Sequence, residues 1–525
     1  MNKPINPVRL EIFHNRFRSI AEEMGVALKR TAFSPNIKER QDFSCGIFAG
    51  DGGLVAQAAH IPVHLGSMPL SVASAIASTS FSPGDMVLLN DPFAGGTHLP
   101  DITVVAPVFS GEEEEPCFYV ANRAHHADVG GSAPGSMSLS GTIFQEGLIL
   151  PPVKIWEKGQ IKKDLMEVIL KNVRTPSERE GDFEAQFMAN LTGTRRLEEL
   201  ITEQGIEEVQ VYSQALRDYS ERLLRRTIAR IPSGNYSFQD FLDDDGLGTE
   251  DIKIDLKLTI DGDEAYLDFT GSADQVQGSI NAVRAITLSA VLYCFRCLLP
   301  PDTPTNDGLL RPLHVKTRRG SILDAQHPSA VAGGNVETSQ RIVDVVLGAL
   351  AGAIPEKIPA ASQGTMNNLS VGGIDPRNNL PFTYYETLGG GMGASRGKNG
   401  EGGIHSHMTN TLNTPIEALE SSYPLLVREY AFRRRSGGEG TKRGGEGLVR
   451  ELELLAEAQV SILSERRRKG PYGLEGGGPG KPGENLLLRE GSMEKLPGKF
   501  TRELKKGDIL RVETPGGGGY GRKKV

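Results

Sequence analysis

Glycine is the residue that most constrains the fold of this chain, because it is unusually frequent and much of it is clustered. The 525 residues include 63 glycines, roughly 12% of the chain against about 7% in an average protein. Glycine permits tight turns and the close approach of one backbone to another. From about Ala360 onward the clusters alternate with short strand-like runs. We therefore predict many turns and close backbone approaches, and a strand-rich C-terminal part.

Helical and strand-like patterns alternate irregularly along the sequence, with no fixed repeat period. Asn6-Pro7 predicts the capped start of a first helix that ends near Ala32. Long amphipathic charged stretches predict helices across residues 161–231. This mixture indicates a mixed α/β (α+β) fold with several subdomains. We predict an α/β region with the candidate metal ligands at 1–160, a helical segment at 161–235, an α/β region at 236–360 and a glycine-rich, strand-rich region at 361–525.

Composition excludes several classes of protein. The net charge is −8 and no long basic stripe is present, which argues against nucleic acid as the main partner. Four cysteines are too few for a disulfide framework in a chain of this length. No signal peptide is visible and no apolar run approaches membrane-spanning length. The expectation is a soluble cytoplasmic protein without a membrane partner.

Two segments place histidine and aspartate beside apolar runs of strand type. The first runs from Asp91 to Asp101 and contains His98, and the second is Arg123-Ala124-His125-His126-Ala127-Asp128. Imidazole and carboxylate groups at strand ends are a usual way to hold a catalytic divalent metal. Without thiolates, this set suits Mn, Fe or Zn better than Ca. The alternative interpretation is a polar, hydrogen-bonded network of turns.

Four more residues are candidates for the same site. His60 and His64 lie in one short apolar stretch, where they either line the cleft or are satisfied core residues. Glu39 and Asp42 follow the first helix and lead into a predicted strand. A carboxylate at this point serves either as a ligand or general base or as half of an ordinary ion pair at the strand entry.

No nucleotide-binding motif is recognisable. Residues 389–394 contain a loose G-x-G-x-x-A, but no clear strand precedes it and no helix follows. Gly397-Lys398-Asn399 lacks the first glycine and the Ser/Thr of a phosphate-binding loop. If the reaction needs ATP, the sequence predicts that another chain binds it.

Two further stretches have a composition that suggests surface structure. Residues 437–447 are glycine-rich between strand-like runs, which predicts a tight system of surface turns. Residues 464–471 include Arg466, Arg467, Arg468 and Lys469. This basic run either binds an anionic substrate or forms a solvated face, and we favour the solvated face.

Six blocks of the sequence occur together in a fixed order: Asp91–Asp101, Arg123–Gly131, Pro134–Met137, Gln145–Gly147, Ala332–Arg341 and the tail Thr514–Gly521. In sequence and order they resemble the hydantoinase B family, from about Pro7 to Gly521. That family includes the second subunit of ATP-dependent N-methylhydantoinases, the C-terminal part of 5-oxoprolinases and a subunit of acetone carboxylases.

The resemblance implies a partner and a set of site residues. A hydantoinase A-type chain with an actin-like ATPase fold uses ATP to phosphorylate a cyclic amide, and the present chain receives the activated intermediate at a divalent metal. His98, Asp101 and one of His125 or His126 match the metal ligands, and we favour His125 because it comes first after the strand. Asp42 matches a position proposed for water activation or metal support. The two chains are expected to form a hetero-oligomer.

Three functions remain open on the sequence. The leading one is the metal-dependent subunit of an ATP-dependent amidohydrolase that acts on a lactam or cyclic imide. The second is the metal-containing subunit of an acetone carboxylase-like enzyme, although carboxylases of the family have longer B chains and a third, small subunit. The third is a non-catalytic assembly subunit in which the metal has only a structural role.

Overall fold

A computed structural model of the protein describes residues 5–58, 61–111 and 113–523. Within these ranges none of the helices combines the length and the apolar content that crossing a bilayer requires. The helices are α1 (Pro7–Thr31), α2 (Pro35–Lys38), α3 (Met68–Ser78), α4 (Lys163–Lys171), α5 (Pro176–Gln204), α6 (Ile206–Ile228), α7 (Arg284–Arg296), α8 (Ser339–Ala351) and α9 (Ile416–Ser422).

In the described part of the chain the strands form four sheets. They are β1 (Phe43–Ala49), β2 (Leu54–Gln57), β3 (Met86–Leu89), β4 (Asp101–Val108), β5 (Phe118–His125), β6 (Val153–Glu157), β7 (Gln160–Ile161), β8 (Gly234–Asp244), β9 (Glu250–Asp261), β10 (Glu264–Asp268), β11 (Leu313–Lys316), β12 (Asn368–Asp375), β13 (Leu380–Glu386), β14 (Leu425–Arg433), β15 (Gly447–Leu454), β16 (Ala458–Leu463), β17 (Glu484–Arg489), β18 (Ser492–Leu496), β19 (Lys499–Leu504) and β20 (Ile509–Glu513). The sheet orders are β2-β1-β5-β4-β3-β6-β7, β11-β10-β9-β8, β13-β12-β16-β19 and β14-β15-β20-β17-β18. The predicted mixed α/β class is confirmed.

Local sequence explains where the first elements begin. The Asn6 side chain accepts hydrogen bonds from the backbone N–H of Val8 at 2.9 Å, and Pro7 occupies the first helical position. The missing N–H of proline costs nothing there, since the first amides of a helix have no partner within it. The helix ends at Thr31, as the sequence predicted. Ser34 then caps the short helix α2, which leads the chain into β1.

Within the described residues, buried apolar side chains form one large core and two smaller ones. The large core contains side chains from α1 to α8 and from the first two sheets, and it reaches Met366, Tyr385 and Met408. One smaller core, which includes Leu369 and Leu510, lies between the two C-terminal sheets. The other packs Met68 and Val72 of α3 against the seven-stranded sheet. The seven-stranded sheet is therefore packed directly against chain segments that come after residue 360. The boundaries of the four predicted regions stay a prediction.

The glycine clusters pack against one another in what we call the glycine bundle, made of residues 360–363, 390–394, 437–447, 473–480 and 515–521. The backbone N–H of Gly517 donates to Gly445 O at 2.9 Å, and Gly438 N–H donates to Gly517 O at 2.8 Å. These segments hydrogen-bond to each other without forming regular strands. Residues 437–447 were predicted to be surface turns, but Gly438 and Gly445 are buried. The prediction holds for Glu439, Thr441 and Arg443, which are exposed. It was wrong for the buried glycines, because they form close backbone contacts between segments that are distant in sequence.

The basic run at residues 464–471 is only partly a solvated face. Arg468 and Lys469 are exposed, as predicted, but Arg466 is 2% exposed. Its guanidinium lies 2.6 Å from a carboxylate oxygen of Asp240 and 2.5 Å from one of Asp344. The prediction for Arg466 was wrong because its two acidic partners come from β8 and α8, far away in sequence. A buried charge needs such partners, and here they join the C-terminal part to the earlier sheet.

We expect Gly517→Ala to lower the free energy of unfolding by roughly 3 kcal/mol, the upper range for overpacking. A Cβ on Gly517 would lie 1.9 Å from Met392 O, and this backbone atom cannot move without disturbing the bundle. Gly397→Ala is the matched control, because no atom lies within 4 Å of its added Cβ. Urea unfolding of both variants measures the difference. Equal stabilities would contradict close packing in the bundle.

Candidate metal centre

Strand register brings the predicted site residues to one end of the seven-stranded sheet. Asp101 is the first residue of β4, His125 is the last residue of β5, and the two are direct partners in the antiparallel ladder. β1 pairs with the other side of β5, with Phe43 opposite Ala124. Asp42, just before β1, therefore lies at the same end, and its carbonyl accepts a hydrogen bond from His125 N–H at 3.0 Å.

Asp101 is the centre of the cluster. One of its carboxylate oxygens lies 3.1 Å from His98 Nε2 and 3.2 Å from His125 Nδ1, and the other lies 3.4 Å from His64 Nε2. Thr97 also donates its hydroxyl to Asp101 at 2.7 Å. Burial opposes ionisation, but His98, His125 and His64 together hold the pKa of Asp101 well below its usual range. The carboxylate is therefore negatively charged although it is only 1% exposed.

The donor set fits a divalent cation. His98, Asp101 and His125 each offer one ligand atom, and these atoms lie within 4.8 Å of one another. His125 Nε2 is buried and has no hydrogen-bond partner within the described part of the chain. Burial lowers the pKa of His125, which favours the neutral imidazole that binds metals. Two imidazoles and a carboxylate are a common ligand set for a catalytic metal.

Other candidates from the same segments lie outside the cluster. His126 Nε2 bonds to Gln186 at 2.9 Å, and burial lowers the pKa of His126 to about 4. Asp128 is paired with Arg174 at 2.8 Å, and the Asp91 side chain accepts from Phe93 N–H. Of the two adjacent histidines, His125 lies within the cluster and His126 outside it, and the choice of His125 as a metal ligand stays a prediction. His60 lies outside the described residues.

Asp42 faces the same small cavity as Asp101 and His125. Burial raises the pKa of Asp42, while His125 and Arg40 act against the rise. Arg40 Nη2 is 3.9 Å from the carboxylate. Gln41, between them, has φ +57°, a left-handed conformation that is uncommon for a residue other than glycine. Such conformations cluster at functional sites.

Asn335 and Tyr385, for which the sequence predicted no role, complete the surroundings of the cluster. Asn335 lies in a buried π-helical turn, Gly334–Thr338, and its Nδ2 is 3.0 Å from His98 Nε2. The Tyr385 ring stacks on His125 at 4.6 Å with an angle of 11°. π-Helical turns are rare and frequent at functional sites. Asn335 lies in the block Ala332–Arg341, which resembles the family and could have identified it. No sequence feature indicated Tyr385.

Glu146 holds the segment that leads to Asn335. Its carboxylate accepts hydrogen bonds from Val331 N–H at 2.9 Å, from Ala332 N–H at 3.0 Å and from the Ser140 hydroxyl at 2.8 Å. The carbonyl of Ala332 in turn lies 3.3 Å from His98 Nδ1. A partner on Nδ1 orients the ring and leaves Nε2 for the cluster. Burial raises the pKa of Glu146 to about 7.

The cavity beside the cluster measures about 20 Å³, room for roughly one water molecule. Its walls come from both ends of the chain. They include Asp42, His64, Asp101, His125, Asn335, Tyr385, Thr387, Thr409 and Thr411. A substrate therefore enters only if some lining side chains move.

Fold and cluster together define a mixed α/β protein with a buried histidine–carboxylate centre at one end of a sheet. The chain belongs to the hydantoinase B/oxoprolinase family, whose sequence model matches residues 6–523. This confirms the resemblance carried by the six blocks.

Individual relatives agree with this assignment. The chain is 43% identical to 5-oxoprolinase 1 of Arabidopsis thaliana, over 98% of this chain but only 42% of that protein. An ATP-dependent caprolactamase from Pseudomonas jessenii has the same fold, with a TM-score of 0.91 and 28% identity over 99% of this chain and 92% of that one. A nucleotide-free acetone carboxylase structure also has a TM-score of 0.91, covering 99% of this chain and 76% of that one, but at 19% identity the likeness concerns the fold alone.

We expect Glu146→Gln to change how stability depends on pH. A carboxyl whose pKa rises on folding contributes stability in full below its ordinary value of 4.5, and this contribution is lost as the pH rises to about 7. Glutamine does not titrate but keeps an acceptor for Val331 N–H. The stability of the variant relative to the wild type should therefore rise between these pH values and stay constant above them. Urea unfolding at several pH values measures it, and a pH-independent difference would contradict the expectation.

Proposed function

We propose that this chain is the metal-dependent subunit of an ATP-dependent amidohydrolase. A partner chain of the hydantoinase A type phosphorylates a lactam or cyclic imide with ATP, and this chain hydrolyses the activated product. The observation that carries the proposal is the buried cluster of His98, Asp101 and His125 beside Asp42. The names of its relatives, 5-oxoprolinase and ATP-dependent caprolactamase, support cyclic amides as the substrate class. All four cysteines are free, which supports a cytoplasmic location.

In this proposal His98, Asp101 and His125 hold one Mn, Zn or Fe ion. A divalent ion at such a site supplies a Lewis acid and lowers the pKa of water. His64, Thr97 and Asn335 contact the same ligand side chains. Their contacts fix the orientation of the ligands, which is how residues behind a metal centre act.

Asp42 is the general base. Phosphorylation of the amide oxygen turns a stable amide into an activated carbon, to which water adds. Asp42 passes protons from that water to the ring nitrogen as the bond between carbon and nitrogen breaks, which leaves an acyl phosphate on the opened chain. A second water then hydrolyses the acyl phosphate to the carboxylate and releases inorganic phosphate. The raised pKa of Asp42 suits this role, since a base works best with a pKa close to the operating pH.

The reaction is tested with this chain and its ATPase partner purified together. Turnover is measured with ATP on 5-oxoproline, hydantoins, caprolactam and, with bicarbonate, acetone. We expect ATP-dependent ring opening of at least one cyclic amide. Acetone carboxylation without ring opening would replace the hydrolase by a carboxylase. Full turnover by a variant without metal would indicate an assembly subunit with a structural ion.

The ligand assignment predicts metal contents. His98→Ala, Asp101→Ala and His125→Ala should each lose most of the bound metal, because each removes one of three ligands. His126→Ala is the matched control, since His126 is equally buried but bonds to Gln186, and it should keep its metal. Elemental analysis of the purified variants provides the measurement. Equal metal in wild type and in the first three variants would overturn the assignment.

Asp42→Asn keeps the shape of the side chain and removes the base. We expect the variant to fold, to keep its metal and to support phosphorylation of the substrate by the partner. Product formation should be slower by about 100-fold, a usual size for a lost general base. Asp91→Asn is the control, because asparagine still caps Phe93 and residue 91 does not line the cavity. Unchanged product formation, or loss of metal from Asp42→Asn, would contradict the role of base.

A further inference from the structure

Three threonine hydroxyls form part of the cavity wall next to the cluster. Thr387 directly follows β13, and Thr409 and Thr411 lie in an irregular segment before α9. All three are almost fully buried. Thr411 Oγ1 lies 3.0 Å from Thr387 Oγ1 and 3.4 Å from Thr409 Oγ1. The hydroxyls are thus connected to one another at the edge of a space that also contacts Asp42 and His125.

Arg40 lies directly behind these hydroxyls. Its Nη2 donates to Thr387 Oγ1 at 2.8 Å and to Thr411 Oγ1 at 3.4 Å. The side chain is fully buried, and its ion-pair partner, Asp42, is 3.9 Å away. Its other acceptors, including Tyr385 O at 3.1 Å, are neutral. A buried positive charge with such distant compensation favours the binding of an anion nearby.

A count of hydroxyl protons shows whether the three threonines can donate a hydrogen bond into the cavity. Each threonine has one proton to donate, and the three hydroxyls have two contacts with one another. Within the described part of the chain, their remaining bonds are those they accept from Arg40. One O–H is therefore left for an acceptor in the cavity. This remaining O–H, together with the positive charge of Arg40 behind the group, favours an acceptor that carries negative charge.

We propose that Thr387, Thr409 and Thr411, backed by Arg40, form an oxyanion subsite that holds the phosphoryl group of the activated lactam. This inference rests on the proposed function, which requires a phosphorylated substrate beside the cluster. Hydrogen bonds to charged oxygens are about twice as strong as neutral ones, so the subsite distinguishes the activated substrate from the free lactam. A carboxylate on the lactam, as in 5-oxoproline, has the same oxyanion chemistry and is the other source of such a group.

The first test uses inorganic phosphate as the probe, titrated calorimetrically into the full chain. Thr409→Val and Thr411→Val remove a hydroxyl without changing the shape, and we expect each to raise the Kd for phosphate by about tenfold or more. Thr409→Ser and Thr411→Ser keep the hydroxyl and should stay near the wild-type value. Thr383→Val is the matched control, because Thr383 is buried in β13 and its hydroxyl has no partner in the described chain. Thermal unfolding checks that each variant is folded.

Equal Kd values for the valine variants and the wild type would overturn the subsite, as would a wild type that does not bind phosphate. The second test measures kcat/KM with the ATPase partner on caprolactam, which has no carboxylate, and on 5-oxoproline. A similar loss on both lactams in Thr409→Val supports the phosphoryl group as the ligand. A loss confined to 5-oxoproline assigns the subsite to the carboxylate and overturns the phosphoryl assignment. If the wild type opens no lactam, the proposed function fails, while the phosphate titration still decides on the subsite.

Discussion

The contacts between the buried carboxylate of Asp101 and three histidines are the interaction on which the rest of the site depends. A negative charge at 1% exposure is stable only with partners close by, and three histidines supply them. His64 follows β2, His98 precedes β4 and His125 ends β5, so one charge holds together three separate parts of the N-terminal region. The ladder between β4 and β5 makes this arrangement rigid before any ligand binds. Pre-organisation of this kind is what metal sites and catalysis require.

The cavity lies where the two halves of the chain meet, and residues from both halves line it. Asp42 and His125 come from the first sheet, whereas Tyr385 and the threonines come from the part after residue 360. Tyr385 lies between the His125 ring, at 4.6 Å, and the Arg40 guanidinium, at 5.0 Å. A small displacement of the C-terminal sheets would therefore reach the cluster directly. Because the cavity has room for about one water molecule, a larger molecule reaches the cluster only if side chains from these two parts of the chain move.

Much of the fold could be predicted from local patterns. Asn6-Pro7 predicted the first helix, and the apolar runs beside the histidines became β4 and β5. Residue types and spacing also drew attention to the segments that contain His98, Asp101 and His125, and the family resemblance matched these residues to metal ligands, an assignment that stays a prediction. Local patterns could not identify Asn335, 234 residues from Asp101, or the burial of Arg466 by acids of β8 and α8. Such contacts depend on tertiary pairing, which leaves no local periodicity in the sequence.

The glycine bundle affects the order in which parts of the chain fold during synthesis. Residues 390–394 and 437–447 leave the ribosome well before residues 515–521, whose amides and carbonyls are their hydrogen-bond partners. Nascent chains fold their earlier parts first, so the sheet that carries Asp101 can form while the bundle is still incomplete. Thr387 and Tyr385 lie only a few residues before Gly390. The far wall of the cavity is therefore expected to become fixed last, and a nascent chain that stops short of residue 515 carries His98, Asp101 and His125 without the enclosure around them.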